Sequence, residues 1–223
     1  MVYKMLETYS PVFMLDEKEP FAIKAIGCTI FTKTKRSDSF PKREICVDAD
    51  TKCVIEYAIW FDYDIQHLYE LEHVWVYVGN DMCVRKVEGS FHGKYLNVED
   101  LDTQKPNLVN ATHPLVYLQP GKHAVLADAR LVRLVPEWKE SCMEKAGEDG
   151  VACHEMFSGK IPKVEDALQE KVRQYIKETY SFEPSLVFKP FTPTRDLFMS
   201  WEELKQSIPQ RIMTQLEYIK QQR

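Results

Sequence analysis

The segment Leu71–Val78 is apolar on both faces that a β-strand would have, which limits the possible folds more than any other sequence feature. Successive side chains of a strand point to opposite sides. Its two alternating sets are Leu71, Trp75 and Tyr77 on one side and Val74, Val76 and Val78 on the other. Such a strand needs apolar cover on both sides. The sequence therefore predicts a β-sandwich with extra elements over one of its sheets.

Short apolar stretches separated by polar turns continue from residue 1 to about residue 135, a pattern typical of β-structure. The predicted strands are Ala22–Phe31, Val54–Phe61, Leu71–Val78, Val84–Val87, Leu115–Leu118 and Ala124–Val135.

From about residue 162 the apolar residues recur at the spacing of a helix. The residues that predict an amphipathic helix over 162–179, after Pro162, are Val164, Leu168, Val172 and Tyr175. A second helix is predicted to begin at Ser200, because Ser200 and Glu203 can form a capping box. Its apolar face continues through Leu204, Ile208, Ile212, Leu216 and Ile219. Pro209 is predicted to kink or interrupt this helix.

We therefore expect a mainly β protein with α-helices. Residues 1–160 would form a β-sandwich domain with a metal cavity, and residues 161–223 a helical extension packed on it.

Composition and charge exclude several classes of protein. The net charge of −5 argues against a nucleic-acid partner, since it offers no broad positive surface. No apolar run approaches eighteen residues, so no transmembrane segment is expected. No secretory signal is visible. The expected location is cytoplasmic, or secreted if a leader has been removed.

The six cysteines, which are Cys28, Cys46, Cys53, Cys83, Cys142 and Cys153, include no CxxC motif. Cys28 and Cys83 lie in apolar runs and are predicted to be reduced core residues. Cys142, Cys153 and His154 bracket an acidic loop and form an alternative zinc site, although their spacing matches no standard zinc pattern.

Acidic residues precede and enter the Leu71–Val78 strand. Strand alternation places Glu70 and Glu72 on the same face as the three valines. Two close, desolvated carboxylates are costly unless one is protonated, or a cation or metal ion is bound. The preceding residues Asp62, Asp64 and His67 are also metal-competent. The alternative is that Glu70 and Glu72 face solvent and the opposite set is buried.

Two histidines further along the chain follow predicted strands. His92 precedes a turn glycine, and His123 follows the Pro120-Gly121 turn. Because strand ends distant in sequence can meet at one rim of a sandwich, we expect His92 and His123 to join the acidic cavity.

The segment His67-Leu-Tyr-Glu-Leu-Glu72 resembles the heptapeptide of the necrosis-inducing (necrosis- and ethylene-inducing peptide-like) proteins. Two other segments, Ser90-Phe-His-Gly-Lys-Tyr95 and Gly121-Lys-His-Ala-Val-Leu-Ala127, resemble that family's later histidine segments. Tyr9-Ser-Pro-Val-Phe13 and His113-Pro-Leu-Val-Tyr117 resemble a related vacuolar-sorting-associated family. The resemblance covers residues 9–128 in the same order.

The resemblance implies a β-sandwich with an acidic divalent-metal cavity. It assigns the cavity to His67, Glu70, Glu72, His92 and His123. Asp62 or Asp64 would stand in for a further aspartate of the family.

Two functions follow from such a cavity. In the first, the protein is a non-enzymatic binding module whose metal ion organises a rim for a glycan, a lipid headgroup or a small molecule. In the second, it is an intracellular hydrolase that uses a metal-bound water. The resemblance favours the binding module, because it implies no catalysis. The metal ion would be Mg²⁺, Ca²⁺, Mn²⁺ or Zn²⁺.

Overall fold

A computed structural model describes residues 2–152, 155–161 and 163–222. The helices are α1 (Val2–Thr8), α2 (Asp166–Tyr180) and α3 (Trp201–Gln221). The strands are β1 (Val12–Asp16), β2 (Ala25–Phe31), β3 (Lys35–Arg36), β4 (Glu44–Ile45), β5 (Thr51–Tyr63), β6 (His67–Gly79), β7 (Val84–Phe91), β8 (Lys94–Asn97), β9 (Leu108–Val109), β10 (His113–Leu118), β11 (Val125–Leu126), β12 (Gly150–Val151), β13 (Phe188–Phe191) and β14 (Phe198–Ser200). Short 3₁₀ helices lie at Ala129–Leu134, Glu140–Cys142, Glu155–Phe157 and Arg195–Leu197.

The strands form two main sheets. The larger sheet has the order β14-β2-β5-β6-β7-β8, with β12 also paired to β6. Its central strands β2, β5, β6, β7 and β8 are antiparallel neighbours. The smaller sheet has the order β11-β10-β1-β13, with β9 also paired to β10. The short strands β3 and β4 form a separate hairpin.

The main core lies between the two sheets. Phe13 and Val116 of the smaller sheet belong to the same buried apolar cluster as Val74 and Val76 of the larger one. At Gly89 in β7 the sheets come so close that an added Cβ would lie 2.5 Å from Val125 Cβ in β11. The predicted mainly β architecture is therefore confirmed.

The other face of the larger sheet is also covered, which explains the doubly apolar strand. Near one end, Trp75 packs in a second buried cluster with Ile45 of the β3–β4 hairpin. Near the other, α3 lies over β2, where an added Cβ at Gly27 would be 2.8 Å from Leu204 Cδ2. Both sets of the Leu71–Val78 segment thus find the cover that its sequence requires.

The covered outer face also contains a buried polar network around Glu56. Its carboxylate accepts hydrogen bonds from Ser37 Oγ (2.6 Å), Ser39 Oγ (2.7 Å) and Trp75 Nε1 (2.7 Å). His73 Nε2 lies 3.0 Å from Ser39 Oγ. Because all these groups are buried, the hydrogen bonds offset the cost of removing them from water.

Both predicted C-terminal helices are present, with altered limits. The first begins at Asp166 rather than at 162, because the extended Glu165 is its N-cap. The second begins after Ser200, whose capping box with Glu203 is formed as predicted. Of the two effects predicted for Pro209, a kink or an interruption, the interruption does not occur, since α3 is continuous through the proline. Apolar residues buried on both sides of the proline hold the helix together: Trp201, Leu204, Ile208, Ile212, Leu216 and Ile219.

One predicted strand is mostly wrong. Only Val125–Leu126 of the segment Ala124–Val135 is a strand, and Ala129–Leu134 forms a 3₁₀ helix. The side chain of Asp128 caps this helix by accepting a hydrogen bond from the backbone N–H of Arg130 at 2.7 Å. The Asp128 side chain thus supplies the hydrogen-bond acceptor for the Arg130 N–H that a neighbouring strand would otherwise have provided.

The cysteine predictions are partly correct. Cys28 is buried, but Cys83 is exposed, because it belongs to the turn after β6 and its N–H bonds to Asp81 Oδ1 at 3.1 Å. The five described cysteines are free thiols. Cys142 is buried with its thiol directed at the carbonyl oxygen of Pro120 (3.2 Å), whereas Cys153 and His154 lie outside the described residues.

Within the described part of the chain, no helix combines the length and apolar character needed to cross a bilayer.

Candidate metal centre

The candidate site is built on the tight connection between β5 and β6. The backbone N–H of Asp64 bonds to the carbonyl of His67 at 2.9 Å, which closes the connection. Asp64 Oδ1 then accepts the N–H of Gln66 at 2.7 Å, as expected for an aspartate that starts a turn. The backbone therefore fixes the side chain of Asp64 beside the first residues of β6.

Asp64, His67 and Glu70 bring three metal-competent atoms together. One donor atom from each residue lies within 4.8 Å of the other two. His67 Nε2 is 3.9 Å from Asp64 Oδ1 and 3.7 Å from Glu70 Oε2. The side chains of Asp64, His67 and Glu70 are only 0%, 12% and 14% exposed. Two carboxylates and an imidazole thus share a largely desolvated space.

One oxygen of this group lacks a protein partner. Asp64 Oδ2 is buried and has no hydrogen bond from any described residue. The other oxygen, Oδ1, is 2.9 Å from Lys122 Nζ. Burial alone would raise the pKa of Asp64, but the nearby His67 and Lys122 outweigh it and lower this pKa. The carboxylate is therefore charged, with one buried oxygen free to bind a cation.

Lys122 also keeps its charge. Burial acts to lower the pKa of its ammonium group, but Asp64 and Glu70 nearby act more strongly and raise it. The site thus contains an internal cation that sequence analysis did not identify.

Glu72 lies beside this group but is held differently. Its residue is 7% exposed, and its Oε2 accepts a hydrogen bond from Ser90 Oγ. Burial, followed by the charge of Glu70, raises the pKa of Glu72 well above its usual range. Glu72 therefore keeps its proton to a higher pH than an exposed glutamate does. The alternative in which Glu70 and Glu72 face solvent is wrong, since neither residue is exposed.

The other predicted ligands lie outside the group of three. Asp62 accepts hydrogen bonds from Trp60 Nε1 (2.9 Å) and from Gln215 Nε2 of α3 (3.3 Å). His92 Nε2 lies 2.9 Å from Gln119 Oε1.

His123 is held close by, but between other partners. Its ring stacks on Phe61 with centroids 3.7 Å apart, and its Nε2 is 3.4 Å from Glu19 Oε1. The structure therefore unites Asp64, His67 and Glu70, whereas Asp62, His92 and His123 each have partners of their own.

Two surface cavities have linings that do not include the three donors. One, of about 480 Å³, is lined by Gln210, Met213, Thr214, Glu217, Tyr218 and Gln221 on α3. The other, of about 340 Å³, lies between α2 and the segment Glu144–Glu148. The cavity on α3 has the greater volume of these two. The β5–β6 connection is nevertheless the better candidate for a functional site, because metal-competent side chains converge there in a largely buried space.

Comparison of the chain with protein-family models, with curated proteins and with solved structures found no match in any of the three. The class is therefore defined by the fold and the site themselves. The chain is a mainly β protein of two packed sheets with helical cover and a buried acidic cluster at one hairpin.

Proposed function

We propose that the protein is a divalent-metal-binding β-sandwich protein of the necrosis-inducing-like type. The observation that supports this proposal is the convergence of Asp64, His67 and Glu70, with Asp64 Oδ2 buried and unpartnered among the described residues. A buried carboxylate oxygen without a partner is costly, and a metal ion supplies the missing interaction.

The donor set favours some metal ions over others. Carboxylates alone suit Mg²⁺ and Ca²⁺, whereas an imidazole among them favours Mn²⁺ or Zn²⁺. His67 is suited to bind through Nε2, the ring nitrogen that faces both carboxylates. We expect Mn²⁺ or Zn²⁺ to bind more tightly than Mg²⁺ or Ca²⁺.

The proposed role of the ion is to present a binding rim. Three protein donors leave coordination positions that an oxygen of a glycan, a lipid headgroup or a small molecule can fill. The resemblance of residues 9–128 to a family without established catalysis supports a non-enzymatic module.

The same open positions support a second candidate, a metal-dependent hydrolase. A divalent ion in such a site lowers the pKa of a bound water towards neutrality. Turnover of phosphate or carboxylate esters by metal-loaded protein, abolished in an Asp64→Asn variant, would favour the hydrolase over the module.

The test of metal binding uses two aspartates of the same hairpin. Protein purified without chelator is analysed for its metal content and then titrated calorimetrically with Mn²⁺, Zn²⁺, Mg²⁺ and Ca²⁺. Asp64→Asn should abolish one-to-one binding, whereas Asp62→Asn should leave it unchanged, because Asp62 bonds to Trp60 and Gln215 instead. Metal at about 100–1,000 times its Kd should stabilise the parent by roughly 3–4 kcal/mol.

Two results would contradict the proposal. The first is a parent protein that takes up no divalent metal and has the same melting temperature with and without chelator. The second is equal loss of binding in the Asp64 and Asp62 variants, which would indicate a general effect of hairpin charge.

A further inference from the structure

Lys122 joins the candidate metal centre from a different part of the fold. The three donors belong to the β5–β6 connection and to β6, in the larger sheet. Lys122 belongs to the turn between β10 and β11, in the smaller sheet. Its Nζ nevertheless reaches Asp64 Oδ1 at 2.9 Å across the gap between the sheets.

The turn that carries Lys122 is fixed to the site through Gly121. The carbonyl of Gly121 accepts the N–H of Ile65 at 2.8 Å, and its own N–H bonds to Glu19 Oε2 at 2.8 Å. Gly121 has φ +70°, and an added Cβ would lie 2.8 Å from Ile65 Cβ. Glycine is needed both for this conformation and for the close approach. With its side chain 11% exposed, Lys122 has little room to withdraw.

With a divalent metal ion bound, the charges of the site would no longer balance at Lys122. Asp64 and Glu70 together balance a divalent ion, so the charge of Lys122 is then left without a carboxylate of its own. Among the described residues, Lys122 forms an ion pair within 4.0 Å with Asp64 and not with Glu72, whose Oε2 accepts a hydrogen bond from Ser90 Oγ. Asp149, the other acid near this ammonium group, is exposed to solvent, which weakens its effect.

We infer that the metal-loaded site binds a phosphate group, with one oxygen on the metal ion and another accepting a hydrogen bond from Lys122. This inference rests on the proposed metal-binding function. An ammonium group acts as a point charge suited to phosphate, whereas planar carboxylates are better matched by arginine. A metal ion and a lysine side by side are a common arrangement for holding phosphate oxygens.

The test measures metal and phosphate affinity separately. Parent and variants are first titrated with Mn²⁺, and the loaded proteins are then titrated with glycerol 3-phosphate. Lys122→Gln should weaken phosphate binding about 10–100-fold, the loss expected for one hydrogen bond to a charged group. The same change should leave Mn²⁺ affinity equal or tighter, because it removes a competing cation.

Two further variants separate charge from folding. Lys139→Gln removes a lysine whose 2.6 Å ion pair with Glu183 is on the surface, and it should change neither affinity. Lys122→Arg keeps the positive charge and should retain phosphate binding. If Lys122→Gln fails to fold, retained binding in Lys122→Arg and its loss in Lys122→Met, each checked by circular dichroism, give the same answer.

Vesicles distinguish the source of the phosphate. Metal-loaded protein is sedimented with vesicles of phosphatidylcholine alone or with added phosphatidic acid. Binding only to the latter, with competition by glycerol 3-phosphate, supports a lipid headgroup. Binding of glycerol 3-phosphate without sedimentation supports a soluble phosphate compound.

The possible results distinguish a failure of phosphate binding from a failure of metal binding. If the parent binds Mn²⁺ but not phosphate, or if Lys122→Gln binds phosphate as tightly as the parent, the inference is wrong and the metal site stands. If the parent binds no metal, the proposed function fails, and the phosphate inference fails with it.

Discussion

Replacing Gly89 with alanine tests the contact between the two sheets. Gly89 pairs with Val74 in β6 and Leu96 in β8, so its backbone is held on both sides. A Cβ at this position would lie 2.5 Å from Val125 Cβ and 3.2 Å from Val125 Cγ2. Val125 is fully buried and branched at Cβ, so it cannot rotate clear of the new methyl group.

The expected magnitude combines two opposing effects. Overpacking of a tight core costs about 1–3 kcal/mol. Replacing glycine in a compatible strand returns about 0.4–1 kcal/mol through the unfolded state. Gly89→Ala should therefore destabilise the protein by roughly 0.5–2 kcal/mol. Val125→Ala should cost about 2 kcal/mol, since it removes two buried methyl groups at about 0.8 kcal/mol each and leaves a small cavity.

The two changes should partly compensate one another when combined. Val125→Ala removes Cγ1 and Cγ2 but keeps Cβ, which still lies 2.5 Å from the methyl group that Gly89→Ala adds, so the relief is partial and the double variant should be only about 0.5–1 kcal/mol more stable than the sum of the single effects. Urea unfolding followed by tryptophan fluorescence gives all four free energies of unfolding. Gly93→Ala provides the control, because its Cβ meets no atom within 4 Å and should combine additively with Val125→Ala.

The reasoning would be refuted if the effects of Gly89→Ala and Val125→Ala on the free energy of unfolding were simply additive. A Gly89→Ala protein more stable than the parent would be equally damaging, because it would mean that the sheets are not in contact there.

Two other predictions concern the helices and the buried acid. Leu216→Ala in α3 (2% exposed) should lower the free energy of unfolding by about 2–5 kcal/mol, whereas Leu134→Ala (76% exposed) should change it by no more than about 0.5 kcal/mol. Neither change should alter the metal stoichiometry. Urea unfolding and metal analysis check this, and equal losses of stability would contradict the packing of α3. In chelator-treated protein, the raised pKa of Glu72 means that stability is lost as pH rises from the unfolded pKa of about 4.3 towards the folded value. Glu72→Gln should lack this part of the pH slope in unfolding measurements between about pH 4 and 8, and identical slopes in parent and variant would show that Glu72 titrates normally.

The elements that were predictable from sequence are those whose pattern is local. The doubly apolar Leu71–Val78 segment predicted cover on both faces, and the structure supplies it with the smaller sheet on one side and the hairpin and α3 on the other. The Ala124–Val135 prediction failed because apolar content alone does not distinguish a strand from a 3₁₀ helix. In that segment the side chain of Asp128 decided between them.

The candidate site divides in the same way. Asp64, His67 and Glu70 were among the seven predicted ligands, because seven consecutive residues of one hairpin contain all three, but the sequence did not separate them from Asp62, Glu72, His92 and His123. Lys122 was missed, since its partner Asp64 is distant in sequence and the two are brought together by tertiary contacts such as the bond from Ile65 N–H to the Gly121 carbonyl. The Pro-Gly-Lys-His turn was a usable signal, because it places a lysine directly beside a candidate histidine ligand.

The buried network around Glu56 could not be predicted from sequence patterns either, because its members are also distant in sequence. A single glutamate inside the apolar Val54–Phe61 stretch was visible, but its partners Ser37 and Ser39 belong to a separate loop. Strand alternation predicts which face a side chain occupies. It does not predict which loop folds over that face.

Lys122 lies in a turn of the smaller sheet and Asp64 in the β5–β6 connection of the larger one, which has a mechanical consequence. Any shear of the smaller sheet against the larger one must stretch the 2.9 Å contact between them or break the backbone bond from Ile65 to Gly121. A ligand held by both sheets would resist this sliding. Binding of this ligand should therefore slow amide hydrogen exchange beyond the residues that contact it, in β10 and β11 as much as in β6.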